Sequence, residues 1–207
     1  MEKSIYIIRH GETEFNRTGM VQGSGVDADL NDTGRLQAQL FFNHYQQHPF
    51  EKIFVSSLKR TFQSVEPFIF NKKLPFEIIP ELNEISWGHY EGRAYNPSWK
   101  QEYFSIIDQW AQGKYDIAVP GGETPLQLQE RQKIALNKII NSPEKEILVC
   151  MHGRALKSFL CLMLDLPLSK MDDFEHRNLG LYQLKYLRGS FEILEKNAAH
   201  HLNVELK

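Results

Sequence analysis

The chain has 207 residues, 42% of them hydrophobic and 12% aromatic, which suits one large domain and is too apolar for a disordered polypeptide. Its 24 basic and 26 acidic residues leave a formal charge of −2, which excludes bulk attraction to nucleic acid or an anionic membrane and requires any anion site to be local. Two cysteines, Cys150 and Cys161, exclude a disulfide framework; both lie in apolar runs and read as buried thiols.

In chain order, a strand over 4–8 comes first. A helix over 34–47 follows, with Leu36, Leu40, Phe41 and Tyr45 on one face and Thr33 as its expected N-cap. A strand over 52–56, a helix over 58–70 and a strand over 76–79 continue the alternation. Residues 85–123 break it: they are rich in Trp, Tyr, Gly and Pro and offer one helix, over 101–112. The rhythm then resumes with a helix over 125–141, whose inner face carries Leu128, Ala135, Leu136, Ile139 and Ile140, a strand over 147–151 and a helix over 154–165. Strands over 181–187 and 190–194 close the chain as a hairpin across Arg188-Gly189. Strands alternating with helices imply an α/β protein with a mostly parallel sheet, and the hairpin implies an antiparallel edge strand. The expected organisation is one domain over 1–207 with residues 85–123 as a cap. Charge at Glu2 and Lys3, with no apolar leader and no run of roughly 18 apolar residues, gives the expectation of a cytoplasmic protein without a membrane partner.

Three strands end alike. "IYIIRHGETEFN" runs from apolar residues into Arg9 and His10, "IFVSSLKRT" into Arg60, and "ILVCMHGRA" into His152. In an open parallel sheet, ligands bind beyond the carboxyl ends of strands. Gly11 permits close backbone approach there, and Glu12-Thr13 can begin a helical turn. Planar guanidinium groups offer paired donors to phosphate oxygens and stay charged, so Arg9 and Arg60 suit a phosphoryl group. A cation at about 4 Å interacts with a second charge by about 4 kcal/mol at an effective dielectric of about 20, and so opposes protonation of an imidazole. His10 is therefore expected to be neutral and nucleophilic, and His152 to donate a hydrogen bond to the transferring oxygens. A leaving alkoxide needs a proton. Glu84, beside Trp87 and Tyr90, is the candidate acid, since apolar surroundings favour a neutral carboxyl, whereas Glu91-Gly92 is expected to shape the loop.

"RHGET" with Asn16, "VQGSGVDADLNDTGRLQA", "VSSLKRT", "LNEISWGHYEG", "PGGET" and "HG" at 152–153 occur in that order. On these motifs the chain resembles, over essentially its whole length, the histidine phosphatase superfamily in its phosphoglycerate-mutase-like branch. The resemblance implies a three-layer α/β/α sandwich. It further implies His10 as the phosphorylated nucleophile, Glu84 as the proton donor, and Arg9, Arg60 and His152 as the phosphate pocket. Asn16, Gln22 and Gly23 would hydrogen-bond the phosphoryl group or its ester, and no metal ion or other cofactor is needed. Departures are visible. Arg154 follows His152-Gly153 where a small residue is usual and is expected to point away along its helix. Glu123-Thr124 matches the family's acid-hydroxyl pair near the site, while Thr124 also reads as the cap of a helix that opens with Pro125. His200-His201 are neighbours that share no face and have no matching ligand cluster.

A mutase of this family would carry paired arginines after the Glu-Gly element. The segment "RAYNPSWKQEYFSIIDQWAQGKYD" has Arg93 and Lys100 but no such pair, and offers Tyr95, Trp99, Tyr103, Phe104 and Trp110 instead. Aromatics at this density suit a lid over a partly apolar leaving group. The expected activity is hydrolysis of a small phosphorylated substrate, with a cofactor-dependent phosphoglycerate mutase and a non-catalytic phosphoprotein-binding module as alternatives. The closing hairpin could pair with a second copy to form a homodimer.

Overall fold

A computed structural model describes residues 2–94 and 97–203. Six strands form one sheet: β1 (Glu2–Arg9), β2 (Lys52–Val55), β3 (Phe76–Ile78), β4 (Glu146–Met151), β5 (Leu181–Leu187) and β6 (Ser190–Ala198), in the order β3-β2-β4-β1-β5-β6. The helices are α1 (Glu14–Arg17), α2 (Asp32–Tyr45), α3 (Lys59–Lys72), α4 (Pro97–Ala111), α5 (Pro125–Asn141) and α6 (Gly153–Met163). β1, β2, β3 and β4 are parallel, whereas β5 is antiparallel to both β1 and β6. The hairpin thus adds two strands. The antiparallel one lies second from the edge and β6 forms the edge.

Successive side chains of a strand point to opposite faces, and the central strands are apolar on both. Ile5, Ile7, Phe54, Ile147 and Val149 pack with Leu128, Ala135 and Ile139 of α5 and Phe159 and Leu160 of α6. Tyr6, Ile8, Ile53, Val55 and Leu148 pack with Phe41 and Phe42 of α2 and Val65 and Phe68 of α3. Each of the branched aliphatic and phenylalanine side chains among them contributes about 1.5–3 kcal/mol on burial, and a sheet apolar on both faces is stable only with helices on both sides. Three layers follow.

Helix ends follow local chemistry. Thr124 caps α5 through a reciprocal pair with Gln127, and Pro125 opens the helix. Thr33 does not cap α2. Asn31 does, its Oδ1 accepting from the Gly34 amide at 2.8 Å, so that Thr33 lies inside the first turn; a short amide side chain reaches back to the third residue of the helix as well as a hydroxyl can. At the hairpin, Arg188 and Gly189 both have positive φ, 53° and 90°, the backbone that matches the twist of two paired strands. Among the described residues no helix is long and apolar enough to cross a membrane.

Parallel pairing sets the strand ends level. Ile8 of β1 and Val55 of β2 both register with Cys150 of β4, so the residues that follow emerge at one edge of the sheet. The loop after β1 presses against α2 there: a Cβ at Gly11 would meet the Gly34 carbonyl oxygen at 2.7 Å, and one at Gly34 would drive into the Glu12 backbone. Backbone cannot yield as a flexible side chain can. Gly34→Ala is therefore expected to lower the unfolding free energy by about 1–3 kcal/mol, read as a lower urea midpoint at an unchanged slope.

Candidate active site

The carboxyl end of β1 delivers His10, which is 2% exposed. Its Nδ1 lies 2.7 Å from the Gly11 carbonyl oxygen. A carbonyl only accepts, so Nδ1 carries the proton and Nε2 holds the free lone pair. Burial first, then the Arg60 and Arg9 charges, holds the imidazole well below its usual range. Desolvation is thus the larger cause favouring the neutral ring, where the sequence pointed to the arginine charges. The backbone around it is pinned: Gly11 donates to Ser64 Oγ at 2.8 Å, and Asn178 Nδ2 donates to the His10 carbonyl at 2.9 Å.

Arg60, in the first turn of α3, is fully buried. Its guanidinium donates to the carbonyls of Val26 at 2.6 Å and Gly23 at 3.2 Å, and its Nε to His152 Nδ1 at 3.2 Å. Burial pushes it down to about 10, so it remains a cation at neutral pH. The guanidinium only donates, so His152 accepts at Nδ1 and donates from Nε2 to Ser56 Oγ, 2.8 Å away. His152 was expected to offer an N–H to a ligand; in this state both ring nitrogens are engaged. It gains such a donor at Nδ1 only by taking up a proton, which burial and the Arg60 charge oppose. Its ring centroid stands 5.2 Å from that of His10.

These groups back a cavity of about 240 Å³ lined by Arg9, His10, Asn16, Gln22, Glu84 and His176, among others. Arg60, His152 and Gly23 sit behind its wall. Asn16 Oδ1 accepts from the Thr13 amide and from Asn178, so what it can offer a ligand is its NH₂. Gln22 bonds Thr13 Oγ1. A Cβ at Gly23 would meet the Ile85 backbone carbonyl at 2.8 Å as well as the Glu91 carboxylate, so the site favours glycine. Glu91 accepts from the Trp87 amide at 2.8 Å and so shapes this loop.

Glu84 is 6% exposed. Its surroundings are less an apolar wall than a ring of amides: Oε1 accepts from Ile85 N at 2.9 Å and Ala155 N at 2.7 Å, and Oε2 from Arg154 N at 3.0 Å. The last two donors belong to the first turn of α6, whose free amides point at the carboxyl. Arg131 of α5 fastens the loop that carries Glu84. It donates to the carbonyls of Glu81, Asn83 and Glu84 at 2.8–2.9 Å and pairs with Glu123 at 2.7 Å. Sequence reading missed Arg131. The signal was a cation at helical spacing from Leu128 and Ala135, on the buried face of α5.

Arg154 does not simply point away. It contributes to the cavity wall while its guanidinium bonds Asp172 at 3.0 Å and lies 5.7 Å from the Trp110 ring centroid. Of the expected aromatic lid, Tyr103 lines the cavity, Trp99 and Trp110 are core, and Phe104 is exposed; Tyr95 lies outside the described residues. Trp87, which was not counted in that lid, lines the cavity as well. His176 and Asn178 were also missed. They precede β5, whose antiparallel direction brings its amino end to the edge where the parallel strands end, and a search of strand carboxyl ends passes over them. His201 is buried, its Nε2 2.8 Å from the Leu179 carbonyl, and among the described residues no three His, Cys, Asp or Glu side chains are grouped to hold a metal ion.

A doubly covered, mostly parallel α/β sheet with a basic, histidine-bearing cavity beyond its strand ends is the frame of an anion-handling α/β enzyme. Residues 5–199 match the model of the histidine phosphatase superfamily, branch 1, and the chain belongs to that family of phosphatase enzymes. It is 31% identical over 192 residues to fructose-2,6-bisphosphatase TIGAR B of Danio rerio, covering 91% of this chain and 71% of that one. It is also 31% identical to the protein named "Probable phosphoglycerate mutase GpmB" of Proteus mirabilis, covering 88% and 84%. Among solved structures, Bacillus stearothermophilus YhfR superposes with a TM-score of 0.86 at 22% identity over 97% of this chain and all of that one.

Three buried histidines and the half-buried His176 carry depressed values: His10 and His152 well below the usual range, His176 at about 3 and His201 at about 4, each chiefly through desolvation. Below about pH 6.5 the unfolded chain binds protons at these rings that the native chain refuses, so their contribution to stability is whole above that pH. It is lost on acidification, by up to about 1.4 kcal/mol per pH unit for each ring until its native value is reached. Urea unfolding at pH 7.5, 6 and 5 should show a steepening loss, and added inorganic phosphate should reduce it.

Proposed function

We propose that the chain is a metal-independent phosphomonoesterase that hydrolyses small phosphorylated metabolites through a phosphohistidine. The carrying observation is that His10, neutral, bonded through Nδ1–H to a carbonyl and with its Nε2 lone pair free, shares a cavity with Glu84 and Arg9. Nε2 attacks phosphorus while the ester P–O bond breaks, and the Glu84 carboxyl gives its proton to the departing oxygen. Glu84 Oε2 has a single amide partner, which leaves it the oxygen with room to exchange a proton. In the second step Glu84 takes a proton from water as that water attacks the phosphohistidine, and phosphate leaves. Arg9 and Arg60, with Asn16 and Gln22, hold the phosphoryl oxygens. The bound dianion offsets the two guanidinium charges and so favours uptake of a proton by His152; because Nδ1 faces the Arg60 Nε–H in this state, donation to the same oxygens also requires that contact to open.

The cavity volume suits a small ester, and we take residues 85–123, with Trp87 and Tyr103 on its wall, as a cap within one domain. Membership of a phosphatase family supports hydrolysis, whereas the likeness to a protein named a mutase keeps phosphoryl transfer between hydroxyls as the second reading.

Rapid quench with labelled substrate should trap an acid-labile, base-stable phosphoenzyme that His10→Ala abolishes, at a rate unaffected by chelators. Glu84→Gln should slow turnover by roughly 10²- to 10⁴-fold for alkyl esters and far less for p-nitrophenyl phosphate, whose leaving group needs no proton; equal losses on both would remove Glu84 as the acid. With 3-phosphoglycerate and 2,3-bisphosphoglycerate, phosphate release should outrun isomerisation, and the reverse would make the enzyme a mutase.

A further inference from the structure

Besides His10 and His152 the site holds a third imidazole, His176, in the loop that leads into β5. Its Nδ1 lies 3.2 Å from Nη1 of Arg9. Since a guanidinium only donates, Nδ1 is the acceptor and the ring proton resides on Nε2. That Nε2–H has no protein acceptor among the described residues, and the side chain lines the cavity. The ring rests on Gly153, where a Cβ would come within 2.9 Å of Cε1 and 3.0 Å of Nε2; a glycine opening α6 is what leaves it space.

The same contact matters to Arg9. Its Nε is buried with no partner, and among the described residues His176 is the one hydrogen-bond partner of its guanidinium. A carboxylate in that place would orient Arg9 but cancel its charge, whereas a neutral imidazole orients it and leaves the charge for a ligand. The ring is neutral: burial, then Arg9, Lys157 and Arg154, push it down to about 3 against a weaker opposing pull from Asp172.

We propose that His176 is both a positioning residue and a substrate-binding one: Nδ1 orients the Arg9 guanidinium, and Nε2–H donates to an oxygen of the bound phosphate ester. This rests on the reading of the cavity as a phosphomonoesterase site. The donor is separate from the nucleophile His10, from the buried His152 and from the acid Glu84, and it favours substrates that present an oxygen acceptor rather than an N–H to this wall.

Two isosteric replacements divide the roles. His176→Asn keeps an acceptor near the Nδ1 position and loses the distal donor; it should raise KM for p-nitrophenyl phosphate roughly ten- to hundredfold with little change in kcat. His176→Gln keeps a distal donor and loses the acceptor for Arg9; it should lower kcat, and the rate of phosphoenzyme formation, by roughly tenfold or more with little change in KM. Identical parameters in the two variants, or values within about twofold of the unaltered enzyme in both, overturn the proposal. Should either variant fail to fold, Gly153→Ala displaces the ring without removing it and should raise KM and lower kcat together while leaving unchanged the ratio of alkyl-ester to p-nitrophenyl phosphate rates, which reports on Glu84; unaltered kinetics, or a changed ratio, overturn the proposal equally. If the unaltered enzyme forms the phosphoenzyme and both His176 variants match it, this inference alone falls; if the unaltered enzyme forms none, the proposed function falls with it.

Discussion

Positive charge buried with little negative charge beside it is the constraint on which the rest of this structure turns. Arg60 is wholly enclosed, yet its guanidinium meets two carbonyls and an imidazole rather than a carboxylate. Arg9 rests on one neutral ring. A buried ion costs several kcal/mol even after relaxation, and carbonyl dipoles satisfy the N–H groups of Arg60 without cancelling its charge. The field left over, added to desolvation, holds His10 and His152 in their neutral forms. One arrangement thus leaves net positive charge beside an imidazole with a free lone pair, the electrostatics that the proposed phosphate ester would complete.

The second organising element is the first turn of α6. Its amides at Arg154 and Ala155 meet the Glu84 carboxyl, and its opening glycine leaves space for the His176 ring. Glu84 is held from behind by Arg131 of α5, itself paired with Glu123. One short stretch of chain, His152-Gly153-Arg154, therefore touches the proposed acid, the proposed phosphate pocket and the third histidine. A backbone shift there would disturb all three together, since packed interiors yield little without rearrangement.

Legibility in the sequence followed the range of the interactions. The expected strand over 181–187 and helix over 125–141 match the observed β5 and α5 residue for residue, because hairpin backbone, capping chemistry and apolar periodicity all act within a few residues. Arg9, His10, Arg60 and His152 were legible because each follows an apolar strand, and parallel strands end on one edge. Asn31 displaced Thr33 as a cap because two neighbouring side chains can serve one helix end and the backbone path chooses between them. The aromatic segment was harder. Trp110 stacks on Trp87 in the core while Phe104 faces solvent, and composition cannot separate those fates.

By itself the sequence determined the alternation of strand and helix, the two-faced apolar character of the central strands, and the arginines and histidines at three strand ends, since these are written in short-range periodicity and strand termination. Tertiary structure alone decided which ring nitrogen of His10, His152 and His176 meets a donor or an acceptor, that Arg131 anchors the loop of Glu84, and that His176 stands against Arg9. Those outcomes depend on partners far apart along the chain, Arg9 and His176 by 167 positions. They depend also on the reversed direction of β5, which no local pattern encodes, because strand order and direction are settled only when the whole sheet assembles.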